Sequence, residues 1–145
     1  YCKLYSNIYN INTICLRYFN VYGCRMTCTG AYRSVLSVFL QAYYDKKPFN
    51  IINDGTQTRD FIHVSDVARA NICAMNTDIK AEMPFNIGSG ENYSVNDIAD
   101  MFGAEKIYGE KRTEPKNSLA NISRAKLLLK WKPVIKLTEW IKEQL

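Results

Sequence analysis

The sequence predicts an α/β fold, in which short strands alternate with helices. Short runs of β-branched and apolar residues recur along the chain, and between them apolar residues recur at the three- and four-residue intervals of amphipathic helices. With 145 residues, of which 47% are hydrophobic, the chain can bury a core. Alternation of this kind is typical of domains built around a largely parallel sheet.

The first half of the chain is predicted to contain two helices and three strands. Leu4 and Ile8 stand at helical spacing in a helix over residues 1–9. The second helix starts near Val35 and ends before Pro48, which cannot continue it. Strands are predicted over residues 13–18, 49–52 and 59–64, the first of them a buried strand.

The second half adds one strand and four helices. Ser65 and Asp66 can cap a helix over residues 67–75. Ser94 followed by Asp97 resembles a capping box, with Asp in place of Glu, at the start of a helix that reaches about residue 101. The remaining elements are a strand over residues 84–87 that ends at Gly88-Ser89-Gly90, and two closing helices over residues 122–129 and 137–145.

Charge and cysteine usage exclude several classes of protein. The formal net charge is +5, and residues 103–145 carry the whole excess, with ten basic and five acidic residues. These charges alternate with Glu and Leu as on a solvated helix, so nucleic-acid binding is not expected. No apolar run reaches the roughly 18 residues of a membrane span. Five cysteines without a tight framework indicate free thiols in a reducing compartment, and hence the cytoplasm.

No metal site is expected, because Cys24 and Cys28 have no second close pair to complete four ligands, and the only histidine, His63, lies far along the chain.

Two short motifs resemble functional ones but are incomplete or misplaced. Gly88-Ser89-Gly90 lacks the third glycine of a dinucleotide-binding turn. Tyr43 precedes Lys47 by four residues, the spacing at which a helical turn sets an ammonium beside a phenol. At a solvated helix end the phenol would keep its ordinary pKa of about 10, so this pair is not expected to be catalytic.

Four segments, in this order, carry a specific resemblance. They are residues 16–23 (LRYFNVYG), 54–68 (DGTQTRDFIHVSDVA), 85–90 (FNIGSG) and 118–133 (SLANISRAKLLLKWKP). Together they resemble the NAD-dependent nucleotide-sugar epimerases and dehydratases, the extended short-chain dehydrogenases. UDP-glucose 4-epimerases and their UDP-N-acetylglucosamine relatives look most similar, and the resemblance spans essentially the whole chain.

The resemblance implies that residues 1–145 are the C-terminal portion of a longer NAD-dependent enzyme. The last part of a Rossmann-type parallel sheet would be interleaved here with the small C-terminal α/β domain that binds the substrate, a nucleotide-diphosphate sugar and foremost a UDP-sugar. The family's Gly-rich turn, catalytic serine or threonine and Tyr/Lys pair would precede Tyr1. We therefore expect no catalytic residue in this chain, no activity from it alone, and a full-length cytoplasmic homodimer that uses NAD as cofactor.

Eight residues match family positions that contact the cofactor or the substrate. Phe19 would lie against the nicotinamide side of NAD and Asn20 would contact the substrate, and both follow a strand end, where α/β sheets bind ligands. Arg59 would contact the diphosphate, whose oxygens a guanidinium can engage in pairs. The other matches are a second diphosphate-binding arginine, Arg112, and residues that hold the sugar nucleotide, Ser34, Val35, Phe49 and Ile51, the last two through the backbone of their strand.

Plainer interpretations of the same residues stay open. His63 is interpreted as a hydrogen-bonded structural residue rather than a general base. The structural alternatives for the site residues are packing for Phe19, a turn for Asn20, an ion pair with Asp60 or Asp66 for Arg59, and an alignment shifted by one that replaces Arg112 with Lys111.

The resemblance also leaves the reaction open. A 4-epimerase oxidises C4 of the sugar transiently to a 4-keto intermediate and returns hydride to the opposite face, whereas a 4,6-dehydratase starts with the same oxidation. A non-catalytic sugar-nucleotide-binding fragment is the alternative from another class. Cys24 stands where the family often has proline, and the loop over residues 26–30 is unusual, so the fit of the sugar stays open. Asn121 replaces a common Asp but caps a helix equally well.

Overall fold

The computed structural model describes residues 1–30, 33–79 and 83–145. The predicted α/β class is confirmed, since helices and mostly parallel strands alternate along these residues. In chain order, the elements are α1 (Cys2–Tyr9), β1 (Leu16–Tyr18), β2 (Asn20–Tyr22), α2 (Val35–Tyr44), β3 (Phe49–Ile51), β4 (Thr58–His63), α3 (Val64–Met75), β5 (Phe85–Ile87), β6 (Asn92–Ser94), α4 (Val95–Phe102), β7 (Lys106–Tyr108), α5 (Ser123–Leu128) and α6 (Leu137–Gln144).

β1 and β2 are consecutive pieces of one extended segment that changes its partner at Phe19. β1 pairs in parallel with β5, whereas β2 pairs in parallel with β4, which in turn pairs antiparallel with β6. The Phe19 N–H donates to the Ile87 carbonyl at 3.0 Å and so extends the β1–β5 pairing up to the change. β3 and β7 form a separate parallel pair. The end of β1 therefore leads directly to the side of β4.

Two buried hydrophobic clusters lie on the two sides of β4. One contains stacked Phe39 and Phe49, with ring centroids 4.3 Å apart, and reaches α6. The other is built from β5, α3 and α5 around Trp131. Phe61 belongs to the first cluster and Ile62 to the second, because successive side chains of a strand point to opposite faces. β4 is thus shared by both clusters.

The start of α3 differs from the prediction that assigned its cap to Ser65 and Asp66. His63 is the N-cap residue, and its Nδ1 accepts a hydrogen bond from the Ser65 N–H at 3.2 Å. Burial lowers the pKa of the His63 imidazole, although the Asp66 carboxylate opposes this shift. The ring serves the helix start as a neutral acceptor, in agreement with the structural interpretation of His63.

Asp66 is fully buried and fastens the segment before α6 to α3. Its Oδ2 accepts from the backbone N–H groups of Val134 and Ile135, at 3.1 and 3.0 Å, and its Oδ1 pairs with Arg69. The Trp131 indole N–H donates to the Asp66 carbonyl at 2.9 Å. The side chain is therefore committed to a tertiary contact and is not available as a cap.

Other elements match or correct the prediction in detail. Ser94 and Asp97 form the predicted capping box, with reciprocal bonds of 3.0 and 2.8 Å. The first strand is shorter than predicted and is not buried at Arg17 and Tyr18, because β5 is its only paired strand among the described residues. β2, β6 and β7 were not predicted. Across the described ranges, the helices are all too short and too polar to cross a membrane.

Candidate functional site

A cavity of about 300 Å³ lies beside β4, between the starts of α2 and β2. Four of the predicted site residues line it together: Asn20, Ser34, Val35 and Arg59. Residues that had not been singled out for this site complete the lining, and the most informative of them are Arg33, Gln57, Phe61 and Glu114.

Strand pairing brings the β2 and β4 residues into one wall of the cavity. Arg59 and Phe61 are two residues apart on β4 and line the same cavity, as the alternation of a strand requires. Asn20 lies directly opposite Phe61 in the parallel β2–β4 register. Strand alternation would have predicted that Phe61 lines the same cavity as Arg59, because the two residues stand two positions apart on one strand.

The start of α2 forms the facing side. Ser34 is the N-cap, and its Oγ accepts from the Ser37 N–H at 3.1 Å. Val35 is the first helical residue, so its N–H has no acceptor within the helix. The helix dipole adds a partial positive charge at this end, which favours an anionic group in the cavity.

Arg59 is the best-defined charged group of the site. Its Nη1 donates to the Thr58 carbonyl at 2.8 Å, and its Nη2 forms an ion pair with Glu114 Oε2 at 2.7 Å. The Arg59 side chain is 17% exposed and that of Glu114 is 32% exposed. The alternative in which Arg59 pairs with Asp60 or Asp66 is wrong, because its guanidinium pairs with Glu114 instead.

Asn20 is held in a fixed orientation. Its Nδ2 donates to the Asp60 carbonyl at 2.7 Å, which leaves its Oδ1 and its second N–H for a ligand.

Phe19 is half-buried at the end of β1 and packs partly against the cluster around Trp131. Phe19 does not belong to the lining of this cavity.

Two of the predicted residues, Phe49 and Ile51, do not line the cavity. The side chains of Phe49 and Ile51 are fully buried in the core. The Phe49 N–H donates to the Glu105 carbonyl and the Ile51 carbonyl accepts from the Gly109 N–H, at 2.8 and 2.9 Å. The next residue, Ile52, lines the cavity.

Arg112 lies outside the lining of this cavity. Its guanidinium pairs with Glu110 at 3.3 Å on the surface, where both side chains are largely exposed. The alternative residue, Lys111, lines a polar cleft that shares Gln57 and Glu114 with the cavity. The predicted role of Arg112 in diphosphate binding stays a prediction.

Gln57 carries a buried polar atom that needs a partner. Its Nε2 donates to the Ile52 carbonyl at 2.9 Å, but its Oε1 is buried without a hydrogen bond among the described residues. Buried polar groups are rarely left unpaired. Gln57 lines both the cavity and the polar cleft. Its amide therefore places a polar group where the two meet.

Comparison with known proteins adds independent evidence. A putative UDP-glucose 4-epimerase of Methanocaldococcus jannaschii is 41% identical over 149 residues, which cover 98% of this chain and 47% of the relative. The solved UDP-glucose 4-epimerase of Thermotoga maritima, in a structure with UDP-glucose, is 31% identical with a TM-score of 0.89 over 97% of this chain and 47% of that chain. The Bacillus cereus UDP-glucuronic acid 4-epimerase, in complex with UDP-glucuronic acid and NAD, is 31% identical with a TM-score of 0.86 over 99% of this chain and 47% of that chain.

The chain spans about half the length of the relatives it matches. A sequence model described as the NAD dependent epimerase/dehydratase family matches residues 1–88. This range includes the strands β1 to β5, and with them Phe19, Asn20 and Arg59. Sequence match, strand arrangement and overall similarity agree, and the chain belongs to the NAD dependent epimerase/dehydratase family.

Proposed function

We propose that this chain is the substrate-binding part of an NAD-dependent nucleotide-sugar 4-epimerase. The single observation that carries the proposal is that Asn20 and Arg59, from two different strands, line one cavity. The relatives named above are 4-epimerases of UDP-sugars, which favours a UDP-sugar as the ligand and an epimerase over a 4,6-dehydratase.

In this proposal, Arg59 and the start of α2 bind the diphosphate. A guanidinium presents its N–H groups in a planar fork that matches phosphate oxygens, and the free N–H of Val35 adds a backbone donor. Asn20, with its orientation fixed by the Asp60 carbonyl, contacts the sugar. Binding energy from the nucleotide and the diphosphate then orients the sugar for reaction at C4.

The backbone around β3 is assigned to the base. Ile52 lines the cavity beside Gln57, and Phe49 and Ile51 hold this backbone rigid through their buried side chains. The two buried clusters that flank β4 agree with the expectation that the end of a Rossmann-type sheet is interleaved here with a substrate-binding domain.

The residues of this chain fit NAD at one edge. Phe19 is half-buried at the carboxyl end of a parallel strand, where α/β sheets bind ligands, so that part of its ring can pack against the nicotinamide. Bound NAD would supply the hydride acceptor and donor for C4 of the sugar, and Phe19 would hold its nicotinamide side. The catalytic acid–base groups are assigned to residues upstream of Tyr1, and the full-length enzyme is proposed to be a cytoplasmic homodimer.

Calorimetric titration of the chain with UDP tests this proposal. We expect saturable binding with one site per chain, and weaker binding of uridine, which lacks both phosphates. No detectable UDP binding would refute the assignment of the cavity. Incubation with UDP-glucose and NAD should yield no UDP-galactose, and turnover by this chain would contradict the assignment of catalysis to upstream residues.

A further inference from the structure

Asp60 is a fully buried carboxylate with an unusual set of partners. Its Oδ1 accepts from the Ser89 N–H at 2.7 Å and lies 2.8 Å from the Ser89 hydroxyl. Its Oδ2 accepts from the N–H groups of Gly90 and Ala120, both at 3.0 Å. Among the described residues, no cationic side chain forms an ion pair with Asp60, so hydrogen-bond donors alone compensate its charge. We call this set of donors, from Ser89, Gly90 and Ala120, the cradle.

Asp60 does not line the cavity, but its backbone carbonyl bonds a residue that does. The Asp60 carbonyl accepts the 2.7 Å hydrogen bond from Asn20 Nδ2. The residues on either side of it, Arg59 and Phe61, line the cavity. Strand alternation sends the carboxylate to the opposite face, and there the cradle holds it.

We propose that Asp60 is a positioning residue for ligand binding, because its anchored carboxylate fixes the carbonyl that orients Asn20 and the strand position that presents Arg59. This inference rests on the proposed function, since it assigns the ligand to the cavity that Asn20 and Arg59 share. It assigns to Asp60 no contact with the ligand.

The chemistry of the cradle requires a carboxylate. An ionised carboxylate offers acceptors on both oxygens, whereas an amide offers one oxygen and one NH₂ group. In an Asp60→Asn variant, the NH₂ group must face either the two Ser89 donors or the N–H groups of Gly90 and Ala120. Donor would then oppose donor, so one side of the cradle opens and the Asp60 backbone shifts.

The chain contains a matched control in Asp66. Both aspartates are fully buried, and both accept hydrogen bonds from backbone N–H groups of a distant segment. Asp66, however, holds Val134 and Ile135, and neither Asp66 nor these two residues line the cavity. Asp66→Asn therefore perturbs a buried carboxylate without touching Asn20.

Calorimetric titration with UDP-glucose, which carries the sugar that Asn20 is proposed to contact, separates the possibilities at a temperature where circular dichroism shows each protein folded. Asp60→Asn should bind UDP-glucose about tenfold more weakly, the equivalent of one lost hydrogen bond, and Asp66→Asn should stay within about twofold of the unsubstituted chain. The side-chain NH₂ signals of Asn20 in ¹⁵N–¹H spectra should shift in Asp60→Asn and stay in place in Asp66→Asn.

Each outcome has one meaning. If the unsubstituted chain fails to bind UDP-glucose, the proposed function fails. If it binds and Asp60→Asn binds equally well, or Asp66→Asn weakens binding as much, the positioning role is overturned. If Asp60→Asn does not fold, Ser89→Ala replaces it, because this variant removes only the hydroxyl from the cradle. It should weaken binding by about two- to threefold and shift the Asn20 amide signals, and unchanged signals would overturn the role.

Discussion

Replacement of Arg59 measures how much of the binding energy depends on the diphosphate. Arg59 already donates one N–H to the Thr58 carbonyl and one to Glu114, and a guanidinium has five N–H donors, so about three remain for phosphate oxygens. A hydrogen bond to a charged group contributes about 1.5–3 kcal/mol. With one such bond counted, Arg59→Ala should weaken UDP binding by about 10- to 150-fold, and Arg59→Lys, which keeps the charge but loses the planar fork, by about tenfold.

The assay is calorimetric titration of each variant with UDP and with uridine. The affinity for uridine should change little, since Arg59 is assigned to the phosphates. Arg69→Ala is the matched control, because Arg69 also pairs with a carboxylate but lies outside the cavity lining. UDP affinity within about twofold of the unsubstituted chain for Arg59→Ala, or an equal loss for uridine, would refute the diphosphate assignment.

Three further predictions concern stability, measured by urea unfolding. Burial lowers the pKa of His63 below the value of 6.5 in the unfolded chain, so the unfolded chain takes up the proton first and stability is lost as the pH falls through 6.5. His63→Asn keeps a capping acceptor and should reduce this loss, and an unchanged loss would assign it to other groups. Gly88→Ala places a methyl group against the Ala120 side chain and should destabilise the fold by about 1–3 kcal/mol, whereas Gly109→Ala, whose new methyl meets its nearest atom at 3.9 Å, should not. Trp131→Phe removes the 2.9 Å hydrogen bond from the indole N–H to the Asp66 carbonyl and should cost about 0.5–1.5 kcal/mol; a variant as stable as the unsubstituted chain would contradict this.

Much of the cavity wall on β2 and β4 could be predicted from sequence. Forty residues separate Asn20 from Asp60, and the strand that carries Asn20 was not predicted, but both residues stand in segments that resemble the family's motifs, and the parallel β2–β4 pairing brings these segments together. The burial of Phe49 and Ile51 also follows from the alternation of an apolar strand. Strand alternation can be predicted because it depends only on the backbone geometry of a few consecutive residues.

Glu114 could not be predicted in the same way. Residues 103–117 show no apolar period, so nothing in the sequence indicates where this segment runs. In the structure, Asn53 fixes its course, because its Nδ2 donates to Glu114 Oε1 at 3.1 Å and its Oδ1 accepts from the Arg112 N–H at 2.7 Å. Asn53 has a φ of 57°, a left-handed turn conformation that asparagine tolerates. The contact of Asn53 with this distant segment was not predicted.

β4 presents Arg59 and Phe61 to the cavity and the carboxylate of Asp60, which lies between them, to the opposite face. The turn before β4 must therefore keep its length. Deletion of one residue in the turn before Thr58 would invert every side chain of the strand. The carboxylate would then enter the space that we assign to the diphosphate, and the guanidinium would face the N–H donors of Ser89, Gly90 and Ala120, which repel a cation. A change in the length of this turn should abolish binding of the proposed nucleotide-sugar ligand, even when every residue of β4 is retained.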